Sequence, residues 1–225
     1  RAELNNHQPF VIENGAAIYL PANYFKQVPS DVLESDGYLV KEFVEGRDHW
    51  QSILQRQKSP PNDAFITFQE AGIKKIAEMT GLNHDQASLA SERRYGEPLK
   101  WLGSEQEFDI FKKSIEQEGG KLLKGGRFVH LSGYCDKGLA LRWLMDMYQS
   151  SNIERNCVSI GLGDSENDMA MLEAADYGIL IKSPSHQFPA ASDNIYKTQA
   201  LGPKGWVEGV TNIIKKLGIK LDNKG

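Results

Sequence analysis

The residues with the clearest chemical potential are six in a row, Gly163-Asp164-Ser165-Glu166-Asn167-Asp168. They follow an apolar run at 157–162 and precede a helix-compatible stretch. In open parallel sheets, ligands gather at the carboxyl ends of strands, so this is the expected position for a site. Ser165 and Asp168 have capping-box spacing, which accounts for that pair without any ligand. Capping leaves Asp164 unexplained: a carboxylate at a strand tip, with a second one four residues on. Paired carboxylate oxygens suit Mg²⁺, a hard cation that takes one or two protein carboxylates and completes its shell with water and phosphate. On the local pattern both readings, metal site and helix cap, stay open.

A second group is Asp136-Lys137-Gly138, which opens a helix. Asp136 is an ordinary N-cap. Lys137 is less ordinary, because a cation in the first turn opposes the helix dipole by roughly a few tenths of a kcal/mol. A bound anion would reverse that sign; a solvated surface lysine is the other reading. Basic residues also collect at Arg93, Arg94 and Arg127, with His130 nearby. On one strand Arg127 and His130 face opposite sides, so they need a bend to share a ligand. Glu13-Asn14-Gly15, between two short apolar runs, reads as a turn or bulge.

The elements that must hold these residues follow from periodicity. Strand patterns are expected at 9–12, 16–20, 38–44, 65–68, 121–123 and 127–131. Helices are expected around Trp50-Ile53-Leu54, ending before Pro60-Pro61, and around Ile73–Met79, closed by Gly81. Another opens at the capping box Ser104–Glu107. After residue 131 the pattern changes. A helix over 136–150, a continuous apolar strand at 157–162, a helix over 166–175, an apolar strand at 177–182 and a helix over 206–217 follow in turn. Continuous apolar strands alternating with helices predict a parallel sheet covered on both faces. The expected architecture is an α/β parallel-sheet core at 1–24 and 132–225, with an inserted α/β cap domain at 25–131.

Composition sets limits. The 225 residues carry 26 Lys+Arg against 30 Asp+Glu, a net charge of −4. That gives no general attraction to nucleic acid or to an anionic membrane. No run approaches the roughly 20 apolar residues of a membrane span. Arg1-Ala2-Glu3-Leu4 does not begin a signal peptide. Cys135 and Cys157 form no metal-ligand spacing, and free thiols in a reducing cytoplasm are expected. A phosphate ligand would need local positive charge or a metal, against the average field. The sequence sets no oligomeric state.

In order, Asp136-Lys137-Gly138, the helix and strand after it and Gly163–Asp168 resemble the third and fourth motifs of the haloacid dehalogenase superfamily. Phe10–Ile18, Arg93-Arg94-Tyr95-Gly96-Glu97-Pro98, Gly126–His130, Lys182–His186 and Gly202–Trp206 are similar to its mannosyl-3-phosphoglycerate phosphatase branch. The resemblance implies a Rossmann-like core, a cap and Mg²⁺-dependent hydrolysis of a small phosphorylated sugar-glycerate. By it, Asp164 is a metal ligand, Lys137 neutralises nucleophile and phosphate, and Asn167 and Asp168 orient water or the lysine, with Ser165 beside them. Glu13, Asn14, Gly15, Arg93, Arg127 and His130 are substrate-binding. Related possibilities are a phosphatase for glucosyl-3-phosphoglycerate or sucrose phosphate, and a non-catalytic ligand-binding relative. The family attacks through the first Asp of an Asp-x-Asp segment, forming an aspartyl-phosphate. None of the twelve residues before Glu13 is Asp. The expected reading is that Arg1–Asn6 is a helix tail and that two βα units, roughly 50 residues, precede it.

Overall fold

The computed structural model describes residues 6–58, 63–151 and 157–219. The helix tail expected at Arg1–Asn6 lies, but for Asn6, outside the described residues, as does Pro60-Pro61. The first elements are β1 (Phe10–Ile12), β2 (Ala17–Pro21), β3 (Val32–Ser35), β4 (Tyr38–Glu42), α1 (Arg47–Arg56), β5 (Phe65–Thr67), α2 (Phe68–Thr80), α3 (His84–Ser91) and β6 (Glu97–Trp101). They continue with α4 (Glu105–Gln117), β7 (Lys121–Lys124), β8 (Val129–Ser132), α5 (Lys137–Ser150), β9 (Ile160–Gly163), α6 (Met169–Ala174), β10 (Tyr177–Lys182), β11 (Tyr196–Leu201) and α7 (Gly202–Lys216). The chain divides into two compact units, 1–41 with 136–225, and 42–135. The apolar rhythm of the sequence predicts an inserted segment at 25–131. Residues 32–41 go with the first unit because β4 is hydrogen-bonded beside β2 in the sheet β1-β2-β4-β3.

In the first unit β9, β10 and β11 form a parallel sheet of order β11-β10-β9. β10 is apolar and buried from Gly178 to Ile181 because both of its faces are covered. Ile179 and Ile181 pack with Ile213 of α7, while Leu180 packs with Met169 and Leu172 of α6. Alternate side chains of a strand point to opposite faces, so this run needs a helix on each side. The register Leu180↔Gly163 places the end of β9 level with the interior of β10. β9 starts three residues later than the apolar run suggests, and Val158 before it is exposed.

The second unit is an antiparallel sheet of order β5-β6-β8-β7. One core joins α1 and α4 to it through Trp50, Ile53, Leu54, Phe65, Leu99, Phe108, Phe111, Ile115, Val129 and Leu131. A separate cluster around Phe68, Ile76 and Ala87 holds α2 to α3. Thr67 and Ser104 cap α2 and α4 through reciprocal bonds with Glu70 and Glu107. No helix among the described residues is long and apolar enough to cross a membrane.

Candidate active site

The loop after β9 is folded around one carboxylate. Asp168 Oδ2 accepts from the backbone N–H of Asp164 at 3.1 Å and of Ser165 at 3.2 Å, and from the Ser165 hydroxyl at 2.9 Å. Ser165 Oγ also lies 2.6 Å from Asn167 Oδ1. Gly163 lets the chain turn this tightly: a Cβ there would stand 2.3 Å from Asp168 Cβ. The other oxygen, Oδ1, accepts from Lys137 Nζ at 2.5 Å. Asp168 is 7% exposed. Burial works against its charged form, but the hydrogen bonds of Lys137 and Ser165 and the lysine's charge outweigh it, holding the carboxyl below its usual range.

Lys137 is the first residue of α5, whose N-cap Asp136 accepts from Leu139 N at 2.7 Å. Asp168 offsets the unfavourable placing of a cation in that turn. Two glycines bring the neighbouring segments close. A Cβ on Gly138 would lie 2.2 Å from the Ala170 carbonyl oxygen, so the backbones of α5 and α6 come into close approach here. A Cβ on Gly15 would lie 2.1 Å from the Asp136 carbonyl oxygen. The Glu13-Asn14-Gly15 turn is thus pressed against the start of α5. Its three residues are all left-handed, with φ of 44°, 62° and 98°, and Asn14 Oδ1 is buried without a hydrogen-bond partner. Consecutive backbone strain of this kind is costly and clusters at functional sites.

Asp164 is placed differently from Asp168. Its side chain is 54% exposed, and His186 Nε2 stands 4.0 Å from Oδ2. A single hard carboxylate at a strand tip suits Mg²⁺, which needs only one or two from the protein. Asp168 does not complete a pair with it, because both of its oxygens are already engaged by protein donors. Among the described residues no three His, Cys, Asp or Glu side chains gather as a metal site. The donor set fits one protein ligand of a hydrated, phosphate-bound ion.

The remaining predicted residues lie in the second unit. Arg127 donates to the carbonyls of Met79 and Thr80, at 3.3 and 2.7 Å, and so serves the end of α2. His130 is in β8, paired with Pro98. Burial, then the charge of Arg93, lowers its pKa below the usual histidine value. Arg93 lines a cavity of about 530 Å³ with Arg47 and Arg94; neither Arg127 nor His130 lines it. Sequence reasoning missed Arg47 and Glu97. Glu97, fully buried, pairs with Arg47 Nε and accepts from Gln51 Nε2 at 3.2 Å and Gln69 N at 3.2 Å. A signal existed: Arg47 opens a helix, as Lys137 does, where the dipole disfavours it.

A family profile described as haloacid dehalogenase-like hydrolase matches residues 1–201. The chain belongs to that family. A protein of Methanococcoides burtonii named glucosyl-3-phosphoglycerate/mannosyl-3-phosphoglycerate phosphatase is 32% identical over 216 residues, 95% of this chain and 79% of the relative. One of the same name from Persephonella marina is 31% identical over 221 residues, 96% and 79% of the two chains. Two solved structures share the fold. A haloacid dehalogenase-like hydrolase from B. subtilis has a TM-score of 0.50 and 18% identity over 96% of this chain and 81% of that one. A structure from Eubacterium rectale has a TM-score of 0.56 and 13% identity over 95% and 79%. The resemblance read from the motifs is borne out, together with the α/β parallel-sheet fold and the enzyme class, phosphoric monoester hydrolase.

Proposed function

We propose that the protein hydrolyses the phosphate monoester of mannosyl-3-phosphoglycerate, releasing mannosylglycerate. The observation that carries this reading is Lys137 locked to Asp168 at the tip of a parallel strand, beside the exposed carboxylate of Asp164. The names of the two relatives support the substrate. In this reading Lys137 holds a phosphoryl oxygen by charge and hydrogen bond, and Asp168 positions the lysine. Ser165 and Asn167 fix the loop so that Asp164 meets Mg²⁺. The ion, when bound, supplies Lewis-acid neutralisation of the phosphate. Glu13, Asn14 and Gly15 border the phosphate side, and Arg93 serves recognition in the second unit, the proposed cap. We place the reaction in the cytoplasm. The family's aspartyl-phosphate chemistry calls for an Asp-x-Asp segment, which these 225 residues do not contain.

Phosphate release by the natural protein tests the reading, with mannosyl-3-phosphoglycerate, glucosyl-3-phosphoglycerate and sucrose phosphate as substrates, with Mg²⁺ and with chelator. Mannosyl-3-phosphoglycerate should give the highest kcat/KM, and chelator should abolish release. Preference for the glucosyl compound, which both relatives' names also carry, would move the assignment to that sugar. Release from none would remove it.

A further inference from the structure

We propose that His186 joins Asp164 in holding a nitrogen-seeking divalent ion such as Zn²⁺, which the site takes in place of Mg²⁺. The inference rests on the metal reading of Asp164 under Proposed function. His186 stands in the loop Ser183-Pro184-Ser185-His186 that follows β10, and β10 is paired in parallel with β9. The loops that leave these two strands therefore emerge side by side, where the ligands of a parallel sheet gather. The loop from β10 is tied to itself: Ser185 N–H donates to Ser183 Oγ at 3.4 Å, and the two hydroxyl oxygens stand 3.0 Å apart.

The two ring nitrogens of His186 meet different groups. Nδ1 stands 3.1 Å from the carbonyl oxygen of Gln187. A carbonyl only accepts, so Nδ1 carries the proton, and in the neutral imidazole Nε2 keeps a free lone pair. Nε2 stands 4.0 Å from Asp164 Oδ2. That gap is too wide for a hydrogen bond, which reaches about 3.2 Å. An ion about 2.1 Å from each atom spans it. A carbonyl on one ring nitrogen and an ion on the other is the common arrangement of a metal-binding histidine. Both side chains are open to an incoming ion, His186 at 42% and Asp164 at 54% exposure. Ligand softness then sorts the ions. Mg²⁺ is hard and keeps oxygen ligands and water, so Asp164 alone serves it. Zn²⁺ takes imidazole nitrogen readily and gains a second protein ligand.

Calorimetric titration with ZnCl₂ and with MgCl₂ at pH 7 measures both affinities in the wild type, His186→Gln and Asp164→Asn, each checked for folding by circular dichroism. His186→Gln should weaken Zn²⁺ about tenfold or more and Mg²⁺ by less than about threefold. Asp164→Asn should weaken both. His186→Ala takes the place of His186→Gln if that variant fails to fold. Nitrogen-15 NMR of the imidazoles adds a direct signature. Of the five histidines, the one whose signals vanish in His186→Gln should shift at Nε2 on adding Zn²⁺ and not on adding Mg²⁺. Unchanged Zn²⁺ affinity in His186→Gln, an equal loss of both ions, or an Nε2 signal that Zn²⁺ leaves in place overturns the proposal. Loss of both ions in Asp164→Asn would then still keep the reading of Asp164. If the wild type binds neither ion, or Asp164→Asn binds both as the wild type does, that reading falls together with the proposal.

Discussion

Asp168 holds the Asp164-Ser165 backbone with one oxygen and Lys137 with the other. Its carboxyl is held below the usual range, so its contribution to stability is complete above the unfolded value of about 3.9 and disappears as pH falls through the folded value. Asp168→Asn should lose about 1–3 kcal/mol at pH 7. In urea titrations the gap from wild type should be constant between pH 6 and 8 and narrow below about pH 4; a gap that widens on acidification would contradict the pairing. At Gly15 a side chain has no room, and the backbone is left-handed. Gly15→Ala should cost about 2–4 kcal/mol in the same assay. The sequence marked Asp136, Ser165 and Asp168 through local capping rules and Lys137 through its unfavourable place against the helix dipole, neither of which needs tertiary knowledge. Those local rules could not show that Asp168 faces Lys137, 31 residues away, a relation that only the family resemblance implied, nor that Arg127 is taken by the end of α2.

At the scale of elements, α5 and α6 meet through Gly138, and this contact carries Lys137 to the loop after β9. Gly138→Ala sets two effects against each other. Helix propensity alone would stabilise by about 0.5–1 kcal/mol. Driving a Cβ to 2.2 Å from the Ala170 carbonyl oxygen should cost about 1–3 kcal/mol. Packing should win and Tm should fall; a rise would refute the close approach. Strands and helices with a strong apolar rhythm, such as β10, α1, α4 and α5, were legible in the sequence. β3, β6, β11 and α3 were not. β6 carries buried Glu97 and Pro98, whose polarity and ring hide a central strand. β11, with Lys197, Thr198 and Gln199, is flanked by β10 alone in the described sheet and lacks a continuous apolar run. α3 has one buried residue, Ala87, so it gives no stripe.

For the whole molecule the net charge of −4 gives phosphate no general attraction. In the proposed reading, anion binding rests on a few placed groups: Lys137 in the first unit and Arg93 in the second. The change in apolar rhythm after residue 131 is the sequence feature behind the expected division, whose bounds of 25–131 differ from the compact unit 42–135. The hairpin β3–β4 was harder to place, because only hydrogen bonding beside β2 ties it to the first unit. The most direct test of the functional reading is phosphate release from mannosyl-3-phosphoglycerate by the natural protein and by Asp164→Asn and Lys137→Ala, each checked for folding. Removing a group that meets developing charge costs on the order of 10²–10³ in turnover, so both variants should lose at least that factor in kcat. Near wild-type turnover in both would contradict the site.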